Sequence, residues 1–213
     1  MNQTNYLKNI RLTRIVSRRD VIAGGVGSLI AIASTSLNQA SAQSRQPNDL
    51  KPMDSKMQRF SDRTEIIDAI NAVAFFADRK DWANVRRQFA NEVDMDYTSL
   101  AGGQPVRVKA DDLIQGWEQG LAPLKATQHL ITNHQVTIQG DEAESLSSFH
   151  AWHYLPNDEG APMWHLYGYY NHKLIRTEDG WKITAMKLTK TSSEGNFSLS
   201  GLASRAGVTN NNH

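Results

Sequence analysis

Four long runs of strand-forming residues follow one another in the second half of the chain, and they limit its possible folds more than any other feature. They cover about 128–138, 143–155, 163–176 and 181–190 and are rich in β-branched and aromatic residues. The segments between them carry turn chemistry: Gln139-Gly140-Asp141, Pro156-Asn157-Asp158-Glu159-Gly160 and Glu178-Asp179-Gly180. Connections this short leave no room for a crossover helix, so consecutive strands must run antiparallel.

Helical patterns come first. Ser61 or Asp62 can cap a helix with Glu65 in its first turn, where an acid meets the positive end of the helix dipole. Ile66, Ile67, Ile70, Val73, Ala74 and Ala77 recur at three- and four-residue spacings, which predicts one apolar face and an end near Lys80. Asp81 is placed to cap a short second helix through Trp82, Val85, Arg86 and Phe89. A short strand at 93–97 and a loop at 101–105 precede a third helix at 109–121, with Leu113, Ile114, Trp117 and Leu121 on one side. Helices followed by antiparallel strands predict an α+β fold. Its helices pack on one face of a strongly curved sheet, which forms a cone-shaped pocket.

The first 42 residues read as a leader rather than as part of that fold. Lys8, Arg11, Arg14, Arg18 and Arg19 form a basic region, residues 21–37 are uncharged, and Ala40-Ser41-Ala42 supplies a small-x-small cleavage pattern. Ser17-Arg18-Arg19-Asp20-Val21-Ile22 resembles the twin-arginine export signal, which implies a periplasmic or exported protein. Without the leader, basic residues fall from 23 to 18 and acidic ones from 22 to 21, so the formal charge moves from +1 to −3. The apparent basicity lay in the leader, and no basic patch argues for a nucleic-acid partner. No membrane partner is expected once the signal is cleaved. With no cysteine, the chain has neither a disulfide framework nor a thiolate metal site. The expected organisation is a leader (1–42), a flexible lead-in (43–60), one domain (61–190) and a disordered tail (191–213).

Several short stretches resemble one family. Asp78-x-x-Asp81-Trp82, Asp96-Tyr97-x-Ser99, Thr127-Gln128-His129 and Asp179-Gly180-Trp181-Lys182, in this order, are similar to stretches of the nuclear-transport-factor-2-like superfamily. The likeness is to its SnoaL-like branch, which includes scytalone dehydratase, and it covers about 61–188. It implies the cone fold, described for the superfamily as a cystatin-like α+β barrel, and commonly a homo-oligomer. It also implies a small-molecule substrate and a lyase or isomerase reaction without a cofactor. By the same resemblance His129 is the general base and acid, Asp78 positions it, and Tyr97 polarises the substrate carbonyl. His153, or Tyr154 if the register slips by one, and Asn171 would contact substrate. The family's second tyrosine is absent at Ala77, and Tyr169 is the candidate to restore that phenol.

The chemistry is coherent on its own terms. Taking a proton from carbon beside a carbonyl needs a base that titrates near neutrality, and histidine does. A carboxylate on its far nitrogen fixes the tautomer and stabilises the imidazolium, while a phenol donates to the developing enolate oxygen. Asp78 as the base, with a pKa raised by burial, is the alternative within the same pocket. Asp78 also suits a purely structural role, capping the first helix or pairing with Arg79 or Arg86. A non-catalytic module holding a small hydrophobic ligand is the rival function, and an Asp78 carboxylate out of reach of both His129 nitrogens would favour it. No metal site is expected, because His129 and His134, and His150 and His153, stand at odd offsets that place each pair on opposite strand faces unless a bulge intervenes. The aromatic set Trp152, Trp164, Tyr167, Tyr170 and Trp181 suggests an exposed face suited to a subunit interface.

Overall fold

The first helix, α1, runs Lys51–Asp78 and lays one face over the sheet. The computed structural model describes residues 51–199 and 201–202. The expected leader, the first part of the lead-in and the end of the expected tail lie outside the described residues. Helix α1 is already formed at Lys51, ten residues before the expected cap. The lead-in is therefore helical from Lys51. Ile66, Ile70, Val73, Ala74 and Ala77 are buried along it as the periodicity predicts, each large aliphatic side chain contributing about 1.5–3 kcal/mol. Asp62 is not a cap. It lies inside the helix at 3% exposure, where its carboxylate accepts hydrogen bonds from Arg176, from Trp181 Nε1 at 3.3 Å and from Gln58 Nε2 at 3.1 Å.

Next come α2 (Trp82–Arg86), β1 (Phe89–Asp96), α3 (Thr98–Ala101), β2 (Val106–Lys109) and α4 (Ala110–Leu121). Asp81 caps α2 by accepting from Asn84 N at 3.2 Å, as expected. The short α3 and β2 flank the expected loop at 101–105 and have no counterpart among the expected elements. The four long strands follow: β3 (Ala126–Gln139), β4 (Glu142–Tyr154), β5 (Met163–Thr177) and β6 (Gly180–Gly195).

All six strands form one curved sheet in the order β2-β1-β6-β5-β4-β3. The pairings are antiparallel except that β1 runs parallel to β6. This is the expected α+β fold on a strongly curved sheet; the sheet is open, with β2 and β3 as its edges among the described residues, so helices rather than strand closure complete the cone.

Besides an irregularity on β1 between Phe89 and Asp94, three bulges on the long strands set which residues face inward. On β3 the ladder shifts between Thr132 and Gln135, where Asn133 has φ 59°. On β6 it shifts at Thr184 and again at Thr191, each an extra residue relative to β5. Every bulge reverses the parity of the inward positions. The strand β6 continues past the expected start of the tail, and beyond it Leu199 and Leu202 are buried against Leu124. The expected single aromatic face is also divided: Trp181 and Tyr170 are buried in the core and Trp164 packs against it, whereas Tyr167 stacks on His150 and His165 on the opposite face.

Candidate functional site

The way α1 ends decides where the Asp78 carboxylate points. Lys80 adopts a left-handed φ of 58°, with Lys80 N bonded to Ala77 O at 3.0 Å and Asp81 N to Phe76 O at 2.9 Å. This is the paired-bond end that stops a helix abruptly. The Lys80 ammonium then reaches across and donates to the carbonyls of Ala122 at 2.8 Å and Leu124 at 3.0 Å, just before β3. The last turn of α1 is thereby fixed against the start of β3.

There, two residues of β3 supply three donors to Asp78. Its Oδ1 accepts from Thr127 Oγ1 at 2.8 Å and from His129 Nδ1 at 2.7 Å, and its Oδ2 accepts from the His129 backbone N–H at 2.8 Å. Burial by itself would push the Asp78 carboxyl up, but the His129 ring and backbone N–H and the Thr127 hydroxyl together hold it below the usual carboxylate value. That is opposite to the shift a catalytic Asp78 base would need. The ionised carboxylate keeps the His129 proton on Nδ1 and leaves the Nε2 lone pair for another partner. The negative end of the α1 dipole favours positive charge at the same place.

His129 opens on a cavity of about 540 Å³ between the sheet and the helices. That volume suits a small organic ligand. Ile70, Val73, Ile131, Leu166 and Trp117 are among its apolar walls, and Tyr97, His153, Tyr170, His172, Ser193 and Lys190 are among its polar groups. Ala77 is also on the wall, so the absent side chain leaves room there. The ring of His153 lies edge-on to His129, with centroids 5.4 Å apart. Burial, helped by the nearby His129, pushes His153 down to about 4. Tyr97, at the junction of β1 and α3, points its hydroxyl to Met186 Sδ at 3.6 Å and lies beside the Tyr170 phenol. Burial first, then Tyr170, raises the Tyr97 pKa well above its ordinary value, and burial raises Tyr170 too. Both phenols therefore stay protonated as donors. Burial, followed by the charge of His134, lowers His172 to about 3.

The structure thus brings His129, Tyr97 and His153 to one cavity, with Asp78 behind His129, and leaves two expected residues out. Tyr169 is 47% exposed and Asn171 points the same way, on the outer face of β5. The cause is strand parity. His153 pairs with Trp164 across β4 and β5, a ladder without bulges, so the inward residues of β5 are Trp164, Leu166, Tyr170 and His172. Asn171 pairs with Leu146, which is on the outside. Tyr170, one residue beyond the expected Tyr169, is the β5 phenol that lines the cavity, beside Tyr97. The ladder register was the signal needed to find Tyr170 and His172. The bulge at Asn133 also puts His134 on the same face as His129, where its Nε2 meets Asn71 Oδ1 at 3.1 Å. Among the described residues no group of three or more His, Cys, Asp or Glu could hold a metal ion.

Comparison with known proteins adds to this geometry. A family model described as a SnoaL-like domain matches residues 58–187. Among solved structures, the Kfla4162 protein from Kribbella flavida is 32% identical, with a TM-score of 0.64 over 67% of this chain and 99% of that one. A Novosphingobium aromaticivorans protein named for scytalone dehydratase is 16% identical, with a TM-score of 0.55 over 68% of this chain and 91% of its own. The hexachlorocyclohexane dehydrochlorinase LinA-type3 from Novosphingobium barchaimii is 12% identical, with a TM-score of 0.55 over 66% and 94%. At those identities the last two show a shared fold. No curated protein sequence matches the chain.

Proposed function

We propose that this chain, which belongs to the SnoaL-like domain family, catalyses proton abstraction from a small carbonyl or hydroxyl compound, leading to dehydration or isomerisation. One observation carries the reading: the 2.7 Å Asp78–His129 bond at the wall of a cavity large enough for an organic ligand. In this account His129 Nε2 takes the proton beside the carbonyl and Asp78 stabilises the imidazolium. The Tyr97 phenol, with Tyr170 beside it, donates to the enolate oxygen as charge develops there. The imidazolium then returns its proton, either to a departing β-hydroxyl, giving water and an alkene, or to another carbon of the same molecule. His153 is a neutral contact for bound substrate. Two neighbours of the same fold carry names of elimination enzymes, which supports a reaction of this class.

The test is hydrogen–deuterium exchange at the carbon beside the carbonyl in a panel of small ketones and enones. The wild type should exchange at least one of them, and His129→Ala should lose that exchange while keeping its circular dichroism spectrum. Exchange persisting in His129→Ala would overturn the assignment, and a ligand bound without exchange would make the domain a carrier.

Two further expectations belong here as proposals. Export through the twin-arginine route rests on the leader pattern, and a reporter active only outside the cytoplasm, fused after residue 42, tests it. Assembly into a homo-oligomer would use the outer sheet face, where Leu130, Leu146 and Tyr169 are exposed, and light scattering measures it.

A further inference from the structure

Among the described residues, Lys190 is the one on the cavity wall whose side chain carries a permanent charge; the others there are apolar, indole, phenolic, imidazole or hydroxyl groups. Its position follows from the two bulges of β6. The inward residues of that strand are Trp181 and Ile183, then, after the extra residue Thr184, Met186, Leu188 and Lys190. The second extra residue, Thr191, reverses the parity again, so Ser193 lines the cavity and Glu194 is exposed instead. Continued alternation would have put Glu194 on the same face as the lysine. The bulge turns the Glu194 position away from the cavity and leaves Lys190 on it.

The surrounding backbone is built to hold it. Ser99 Oγ donates to Leu188 O at 2.7 Å and accepts from Lys190 N at 2.9 Å, so one hydroxyl ties both residues to α3. Across the ladder, Lys190 faces Gly168. A Cβ there would stand 2.0 Å from Thr189 O and 2.9 Å from the Phe149 ring, so no side chain can grow from β5 to meet the lysine. No carboxylate among the described residues pairs with Lys190, whereas Lys173 and Lys187 lie 3.5 Å and 2.8 Å from their acidic partners. A partly buried lysine on a mostly apolar wall, with no carboxylate paired to it among the described residues, creates a positive potential that an anionic ligand group would satisfy.

We propose that Lys190, with the Ser193 hydroxyl beside it, anchors a carboxylate on an otherwise apolar ligand that extends across the sheet to His129. The register sets the length. His129, Ala151, Leu166 and Ser193 form one row across β3 to β6, and Lys190 is in the next inward row. Three strand spacings span about 14 Å on a flat sheet and less across a curved one. The ligand class is a fused-ring or medium-chain carboxylic acid. This specificity rests on the function proposed above for the reacting end, but its test does not depend on turnover.

Titration calorimetry with naphthoate and its neutral amide, naphthamide, compares two probes of one shape that differ in charge. The wild type should bind the carboxylate about tenfold more tightly than the amide, or better, with the preference shrinking as salt rises. Lys190→Gln should abolish the preference by weakening naphthoate alone, and Lys190→Arg should retain most of it. Asp78→Asn should keep it, which separates failure of this proposal from failure of the catalytic one. Equal affinities in the wild type, a preference that survives in Lys190→Gln, or no binding of either probe would overturn the inference.

Discussion

Replacing Asp62 by Asn should destabilise the domain by an amount that disappears in acid. The carboxylate lies under α1, where Arg176 donates two hydrogen bonds to it, one of them from Nη2 at 2.8 Å, while stacking over Trp181 with its guanidinium carbon 4.5 Å from the ring centroid. The Arg176 bonds outweigh burial and, with Trp181 and Gln58, hold the Asp62 carboxyl at about 2 against an ordinary value of 3.8. At about 1.4 kcal/mol for each tenfold change in acidity, that corresponds to about 2–3 kcal/mol of stability. Asn keeps one acceptor oxygen but no charge. Arg176 keeps its 3.0 Å bond to Asp141 and is partly exposed, so the cost should not reach the larger losses of a fully buried pair. Because the folded-state pKa is depressed, the contribution is complete above the unfolded value of about 4 and is lost as pH falls towards 2. Urea and thermal melts of both proteins should differ by about 2–3 kcal/mol at neutral pH, or about 5–10 °C in a domain of this size. The difference should vanish at the acid end. A gap below about 1 kcal/mol at neutral pH, or one that persists near pH 2, would refute the reasoning.

Other consequences are measurable in the same way. Burial keeps His153 at about 4 and His172 at about 3, while both protonate near 6.5 when unfolded. Stability should therefore fall as pH drops below about 6.5, and His172→Phe should flatten that slope; an unchanged slope would contradict it. Gly168→Ala should cost about 1–3 kcal/mol by overpacking, and a neutral result would mean β5 can move away from Thr189. Leu199→Ala should cost about 2–5 kcal/mol if the segment after β6 is as firmly seated as its burial indicates.

Much of the fold could be read from the sequence because its signals are local. The apolar spacing of α1, the Asp81 cap and the turns between the long strands each act over a few residues. What depends on long-range pairing was less visible. Asp62 has the profile of a helix cap, and only its meeting with Arg176 and Trp181, more than a hundred residues away, makes it a buried staple. Likewise His129, Tyr97 and His153 could be placed at one cavity, and Asp78 on His129, by resemblance, whereas Tyr169 and Asn171 were each one position off. A strand alternates with period two, so an error of one residue turns a side chain to the opposite face. Bulges at Asn133, Thr184 and Thr191 shift that parity with little sequence signature. This is why the placement of Lys190 and Ser193 on the cavity could not be read from alternation alone.

The most direct test of the central claim is the tautomer of neutral His129, read from its ring nitrogens by ¹⁵N NMR in the wild type and in Asp78→Asn. In the wild type the proton should be on Nδ1, with Nε2 bare. The His129 backbone N–H can only donate, so an Asn at position 78 must offer its oxygen there and turn its NH₂ towards Nδ1. That forces the proton to Nε2 and removes the base. A wild-type proton on Nε2, or the same tautomer in both proteins, would mean that Asp78 does not set His129 up for proton abstraction.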